Sequence, residues 1–518
     1  MRVLRGLSLT LFASMSTSLY LSRSAGAVSA SAIAAASTSL TGLASNHQGP
    51  IQVGLTGSIG MGKSTISNHF RKLGFGVFDA DSVVHALYGP GGEAVPLIAK
   101  HFPDVVVDNA IDRTKLASHV LDTSTGKDNL KLIEGIVHPL VINKRKQFYE
   151  EAKCRGELLV VYDIPLLFEN RAAYDVDYTI VATATAEVQR KRCLSREGMN
   201  EEKLKAILAK QVPDETKRAQ ADFIVFTDKL GTYSQARAQT ALFLQNIIDV
   251  NPCKYNAWMK KAIDNKTTPG TLLSLFDIVV FDIDQTICPV TGPVSAGLNS
   301  LLEYVDKYMP KSASKIREES KSRAILSRIK QENPLMAHDF TDLRRCVLEE
   351  IAQEFDELDA VDKAMDCFLA GRSNIEPYLY SDSLACIDWI RSEGLEVGLL
   401  TNGNCDVESY CPELSSKLKF SLCAGDIGAT KPSKIPFIAV AQRSGVPCDR
   451  IMYIGDSYEH DVKGALAAGM KAALLKRVDY GEGGEGSNVL PEYDEADKFI
   501  TLENLNPDEI MKKLQDFF

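Results

Sequence analysis

The stretch IQVGLTGSIGMGKST, residues 51–65, decides the fold of the first half of the chain. Ile51, Val53 and Leu55 form an apolar run that reads as a buried strand. Gly57, Gly62, Lys63 and Ser64 then complete G-x-x-x-x-G-K-[ST]. A helix is expected over STISNHFRKLG, ending at Gly74, a residue suited to a left-handed C-cap. Between strand and helix, such a loop closes its backbone N–H groups around phosphate oxygens. Its lysine reaches the β/γ-phosphates and its hydroxyl faces Mg²⁺. The loop Gly57, Ser58, Ile59, Gly60, Met61, Gly62, Lys63 and Ser64 is therefore expected to hold a nucleoside triphosphate, with Ser64 on the metal.

Outward from this motif, apolar strand-like runs alternate with helical stretches up to about residue 250: IQVGLTG, FGVFDAD, LLVVYDIPLL, YTIVATA and DFIVFTD. Alternation at this spacing predicts an α/β fold, a parallel sheet with helices on both faces. Ligands then sit beyond the carboxyl ends of the strands, where Asp79, Asp81 and Asp163 fall. A phosphoryl transferase needs a carboxylate to take the acceptor's proton, and Asp79-Ala80-Asp81 offers one; turn or cap chemistry is the plain alternative. QRKRCLSRE sets Arg192 and Arg196 four apart, as on one helical face, with Gln189 nearby. That face is either solvated or an arginine lid over phosphates.

Taken in order, GLTGSIGMGKST, FDADSVVHALYGPGG, IDRTKL, LIEGIVHPLV, DIPLLFE, QRKRCLSRE and ADFIVF resemble the dephospho-CoA kinase family over about residues 51–250. The resemblance implies a P-loop kinase with a helical lid that uses ATP and Mg²⁺ to phosphorylate the ribose 3′-hydroxyl of dephospho-CoA. It implies that Lys63, Ser64 and Thr65 contact ATP and metal, and that Asp81 is the catalytic base with Asp79 beside it. Arg113, His138 and Pro139 fall on the acceptor side, and Gln189, Arg192 and Arg196 in the lid. Where the family often has an Asn-containing turn near the adenine, this chain reads Thr227-Asp228.

Strand periodicity is lost after about residue 245, and a linker is expected over 251–275. DIVVFDIDQT then ends a strand run in Asp282-x-Asp284-x-Thr286. Period 2 puts both carboxylates on one face, one placed to attack and the other to transfer protons. VGLLTNGN ends at Thr401-Asn402, GATKPSK carries Lys431, and IMYIGDSYEHD carries Asp456 and Asp461. These four elements, in this order, resemble the haloacid-dehalogenase superfamily of Mg²⁺-dependent phosphatases. The resemblance implies a Rossmann-like domain over 276–518. Asp282 is its nucleophile, Asp284 its acid and base, and Thr401 and Lys431 hold the phosphoryl oxygens. Mg²⁺ would lie on Asp282, Asp456 and the Asp284 carbonyl, with Asp461 in support. Helix-forming segments over about 288–385 read as a cap that selects a small phosphomonoester. NPLMAHDFTDLRR and LLTNGN resemble members acting on flavin nucleotides and ribityl phosphates.

At 518 residues the chain needs two or three domains. A net charge of −10 argues against nucleic-acid or anionic-membrane partners. The 11 cysteines include no C-x-x-C, which favours free thiols over a disulfide framework or zinc site. Residues 1–48 contain Arg2, Arg5 and Arg23 and no acidic residue. They read as a removable leader, with a mitochondrial destination expected and plastid or secretory routing as alternatives. The apolar stretch from Leu7 to Leu21 is short for a membrane span, so no stable insertion is expected. The sequence is silent on oligomeric state. Two rival readings are a P-loop kinase for another small acceptor and a second domain that binds without turnover.

Overall fold

The computed structural model describes residues 49–121, 125–169, 175–228, 232–259, 275–477 and 498–517. The leader, linker residues 260–274 and the Gly-rich stretch 479–488 lie outside them. The described residues form two compact units whose boundary in sequence falls near residue 224.

In the first unit, β1 (Ile51–Thr56) leads into the P-loop, and α1 (Lys63–Lys72) follows. Gly74 ends the turn after α1 at φ 89°, in the left-handed region anticipated for it. β2 (Gly76–Asp79) runs directly into α2 (Ala80–Tyr88). A two-stranded antiparallel ribbon, β3 (Val106–Val107) and β4 (Ala110–Ile111), turns through Asp108 and Asn109 at φ 49° and 58°. Two-residue strands carry no readable alternation, so only these turn-forming side chains could have signalled the ribbon. After α3 (Arg113–Leu121) and α4 (Gly126–Arg155) come β5 (Leu159–Asp163) and β6 (Tyr178–Thr183), buried at every position. β7 (Phe223–Phe226) completes a sheet ordered β2-β5-β1-β6-β7. β1 lies between β5 and β6, parallel to both. Continuous apolar runs, rather than alternating ones, are what a sheet covered on both faces requires. This arrangement puts the P-loop and the ends of β2 and β5 at one edge.

The second unit is built on a six-stranded sheet: β8 (Ile278–Phe281), β9 (Glu396–Thr401), β10 (Phe420–Cys423), β11 (Ile451–Gly455), β12 (Lys471–Leu475) and β13 (Ile500–Leu502). The order is β10-β9-β8-β11-β12-β13, with every neighbouring pair parallel. β8, β9 and β11, which the sequence reading located, are neighbours at its centre. Helices fill the interval between β8 and β9, among them α5 (Thr291–Tyr308), α6 (Glu319–Glu332), α7 (Phe340–Gln353) and α8 (Val361–Ser373). They bury Leu301, Val305, Leu343, Ile351 and Phe368 in a core of their own. The sheet buries a separate set that includes Phe281, Leu399, Ile454 and Leu475. The helix Thr232–Val250 packs with this second unit, where the Arg237 guanidinium donates to the Gly425 carbonyl at 2.8 Å.

Candidate active sites

In the first unit the P-loop is braced from beneath. Gln189 is 7% exposed and donates to the Ile59 carbonyl at 2.7 Å, while the Gln211 side chain accepts from the Ile59 N–H at 3.2 Å. Gly60 sits at φ 78°, with the Cys193 thiol only 2.5 Å from where a Cβ would stand, so both backbone and space demand glycine. Lys63 ion-pairs with Asp163, the last residue of β5 and 3% exposed. Asp79 ends β2 and caps α2, its carboxylate accepting from Ser82 N–H at 3.1 Å. The plain cap reading therefore holds for Asp79. Asp81, in the first turn of α2, is free of that duty. Surrounding protein partly desolvates its carboxyl and pushes it up. Lys63 and Arg113 pull it down, while Asp79 and Asp163 push it up. Lys63, Asp81, Asp163 and Arg113 thus share one electrostatic site at the carboxyl edge of the sheet. Arg113 lies over the Tyr88 ring at 5.6 Å.

Two placements differ from expectation. The helix carrying Gln189 and Arg192 ends at Leu194, so Arg196 lies in the following turn and does not continue the Arg192 face. A Ser at the C-cap and a Gly shortly after it favour that stop. Gln189, expected to contact ligand, is spent on the P-loop backbone, while Arg192 reaches the Gly60 carbonyl at 3.5 Å. His138 and Pro139 lie on the exposed side of α4. No hydrogen bond or ion pair among the described residues joins His138 to Asp81, Lys63 or Asp163.

In the second unit Lys431 is the hub. Its ammonium contacts Asp282 Oδ1 at 2.6 Å, Asp461 Oδ1 at 2.6 Å, Tyr453 Oη at 2.9 Å and the Leu400 carbonyl at 3.3 Å. Burial alone would lower the Lys431 pKa, but Asp282 and Asp461 hold it well above its usual value. Asn402 fixes the Lys431 backbone from both sides, accepting its N–H at 2.8 Å and donating to its carbonyl at 3.2 Å. Asp282 leaves the end of β8 with its own N–H on the Ile454 carbonyl at 2.9 Å. Thr401 ends β9, its hydroxyl accepting from Gly403 N–H at 2.9 Å. Asp284 is gripped by Arg372 at 2.8 and 3.0 Å.

Asp282, Asp456 and Asp461 place carboxylate oxygens within 4.8 Å of one another. Burial first, then the neighbouring carboxylates, pushes Asp456 well above the ordinary carboxylate range. Asp282 is raised by burial too, against the pull of Lys431. One ammonium cannot balance three carboxylates of which two are buried and the third half-buried, and an all-oxygen donor set of this kind suits a hard divalent cation such as Mg²⁺. The residues present fit that ion. In the first unit, Asp163 is the oxygen donor paired with Lys63, and Ser64 follows Lys63 in the chain.

Residues 51–230 match the dephospho-CoA kinase family, and residues 276–469 match the haloacid dehalogenase-like hydrolase family. The dephospho-CoA kinase of Mesorhizobium japonicum is 51% identical over 177 residues, 34% of this chain and 87% of that one. The Novosphingobium aromaticivorans enzyme is 44% identical over 203 residues, 39% of this chain and 98% of that one. The chain belongs to the dephospho-CoA kinase family. It is an enzyme, with a haloacid dehalogenase-like hydrolase domain following the dephospho-CoA kinase segment. Among solved structures, a 2-haloacid dehalogenase from Pseudomonas syringae pv. Tomato covers 47% of this chain and 100% of its own, at 24% identity and a TM-score of 0.40. A dephospho-CoA kinase from Campylobacter jejuni covers 38% and 96%, at 26% identity and a TM-score of 0.29.

Sequence reasoning noted Asp163 as a polar strand end of the dephospho-CoA kinase segment but gave it no role. Its position after a fully buried run beside the P-loop strand was the available signal. In the hydrolase domain Tyr453 and Arg372 were missed outright. Tyr453 reads as one more apolar strand residue, and Arg372 as one more cation on a helix, so only tertiary packing brings them to the site.

Proposed function

We propose that this chain carries two phosphoryl-transfer activities. The first is ATP- and Mg²⁺-dependent phosphorylation of the ribose 3′-hydroxyl of dephospho-CoA. The family relationship supports the reaction, and the shared field of Lys63, Asp81, Asp163 and Arg113 supports the mechanism. Asp81 takes the proton of the acceptor hydroxyl, and Lys63 leaves Asp163 to balance charge on the β/γ-phosphates. Thr65 and Ser64 finish the phosphate cradle, Arg192 and Arg196 close over it, and His138 and Pro139 flank the acceptor. The second activity is hydrolysis of a small phosphomonoester. The observation that carries it is the Lys431 ammonium held between Asp282 and Asp461. Asp282 attacks phosphorus and forms an aspartyl-phosphate, and Asp284 protonates the departing oxygen and then takes a proton from water. Thr401 and Lys431 hold the phosphoryl oxygens. Bound by Asp282, Asp456, Asp461 and the Asp284 carbonyl, Mg²⁺ would supply charge neutralisation of the phosphoryl group. The helices between β8 and β9 favour a compact substrate, an FMN- or ribityl-phosphate-like ester first and phosphorylated CoA precursors second.

The test uses the intact chain and two single variants. Lys63→Ala should abolish CoA formation from dephospho-CoA and ATP while p-nitrophenyl phosphate hydrolysis persists. Asp282→Asn should do the reverse and should lose BeF₃⁻ binding at that carboxylate. CoA formation by Lys63→Ala at the wild-type rate would sink the first assignment. Unchanged hydrolysis by Asp282→Asn would sink the second, and a wild type without hydrolysis would favour a domain that only binds.

A further inference from the structure

Asp284 does not sit in its site alone. Arg372, the penultimate residue of α8, is 2% exposed and reaches both Asp284 oxygens through Nη2, at 2.8 and 3.0 Å. α8 belongs to the helical cap, whereas Asp284 belongs to the loop that leaves β8. The cap therefore touches the catalytic loop through one charge-assisted contact, which is among the stronger kinds of hydrogen bond.

Three further observations show that this arginine is placed rather than merely long enough to reach. First, α8 crosses α5 at a pair of glycines. A Cβ on Gly371 would stand 2.8 Å from the Ala296 carbonyl and from the Gly297 Cα, and one on Gly297 would stand 3.0 Å from the Arg372 Cβ. The two backbones are in contact, so the root of Arg372 has little room to shift. Second, the end of α8 is tied to the loop after β9. The Ser373 hydroxyl accepts from Asp406 N–H at 3.0 Å, and its carbonyl accepts from the Cys411 thiol at 3.0 Å. Third, a Cβ on Gly403 would stand 2.7 Å from Asp284, 3.0 Å from Arg372 Nη2 and 3.2 Å from Thr401 Oγ1. These three groups close around one point at the end of β9. Arg372 Nη1 is buried without a hydrogen-bond partner among the described residues, so the guanidinium is committed to this contact through one nitrogen.

We propose that Arg372 is a positioning residue for the hydrolase reaction: the cap delivers a guanidinium that fixes the Asp284 carboxylate for its proton transfers, to the leaving oxygen and then from water. Acid–base chemistry is then coupled to the seating of the cap, because the last turn of α8 carries the residue that orients Asp284. This rests on the reading of residues 276–518 as a phosphohydrolase.

The test is a double-mutant cycle on the full chain, with p-nitrophenyl phosphate and Mg²⁺. That leaving group needs little protonation, so turnover stays measurable when Asp284 is changed, and the cycle reads the other task of Asp284, taking the proton of the attacking water. Arg372→Met should lower kcat by about 10–100-fold, the scale of a misplaced reacting group, with KM within about twofold and BeF₃⁻ binding at Asp282 retained. Arg372→Lys keeps a cation that can donate from one nitrogen and should lose less. In the Asp284→Asn background, Arg372→Met should cost nothing further, since its action runs through Asp284. Multiplicative losses in the double variant would overturn the inference, as would a raised KM with unchanged kcat, which would mark Arg372 as a substrate contact. If Arg372→Met does not fold, the same cycle with Arg372→Lys decides. A wild type without any hydrolysis overturns the phosphohydrolase reading and this inference with it; active wild type with a multiplicative cycle overturns the inference alone.

Discussion

Asp79 and Asp81 are two residues apart and chemically alike, yet the fold gives them different work. Asp79 spends its carboxylate on the Ser82 N–H at the start of α2. Asp79→Ala should therefore cost about 0.5–2 kcal/mol in urea unfolding and leave kcat close to wild type. Asp81→Asn should lower kcat by about 10²–10⁴ with ATP binding retained; a comparable fall for Asp79→Asn alone would move the base. From sequence, the pair was visible but its division was not, because capping depends on where β2 ends. Asp342 shows the same dependence on packing. Burial first, then Asp339, pushes its carboxyl up to about 6, against Arg345 and Arg237. A carboxyl raised on folding binds more protons in the native than in the unfolded state. Stability is thus lost as pH rises from about 4 through about 6. Asp342→Asn should raise the thermal midpoint at pH 8, by the equivalent of about 1–3 kcal/mol, and leave it unchanged at pH 3.5. Equal effects at both pH values would rule out titration as the cause.

Elements were more legible than residues. The five long runs of the first unit all became strands of its sheet, because a sheet covered on both faces needs uninterrupted apolar stretches. The weaker signals failed where tertiary contacts decide. The arginine helix stopped at Leu194, short of Arg196, and β10, β12 and β13 are short runs that only their neighbours in the sheet define. The segment after that helix is held by an unusual contact. In the helix Asp214–Gln220, Lys217 is fully buried and pairs with Glu169 at 3.0 Å. Glu169 also accepts from Val212 N–H at 2.8 Å, next to the Gln211 that holds Ile59 of the P-loop. Removing one partner of such a pair strands the other charge, so Lys217→Met should destabilise by about 3–5 kcal/mol and raise the KM for ATP. Unchanged stability and KM would show that the segment is held by other contacts.

At the scale of the whole chain, the unlike charge of the leader makes the clearest contrast with the rest. Fused to a fluorescent protein, residues 1–50 should direct it to an organelle, the mitochondrion first, on the proposal that an acid-free basic segment is read by import machinery. Diffuse cytosolic fluorescence would remove that proposal, and secretion would select its alternative. The strand orders carry another consequence, one for synthesis. In each sheet the first strand made is an interior one: Ile51 waits for Leu159, and Ile278 waits for Glu396. Each partner emerges roughly a hundred residues later, on the order of 5–20 s at ordinary translation speeds. During that interval the ribosome holds out an apolar ribbon, IQVGLT or IVVF, with both edges open. Nascent chains stalled near residues 150 and 385 should therefore be captured by chaperones more strongly than chains stalled just past 230 or 510, when each ribbon has found its neighbours.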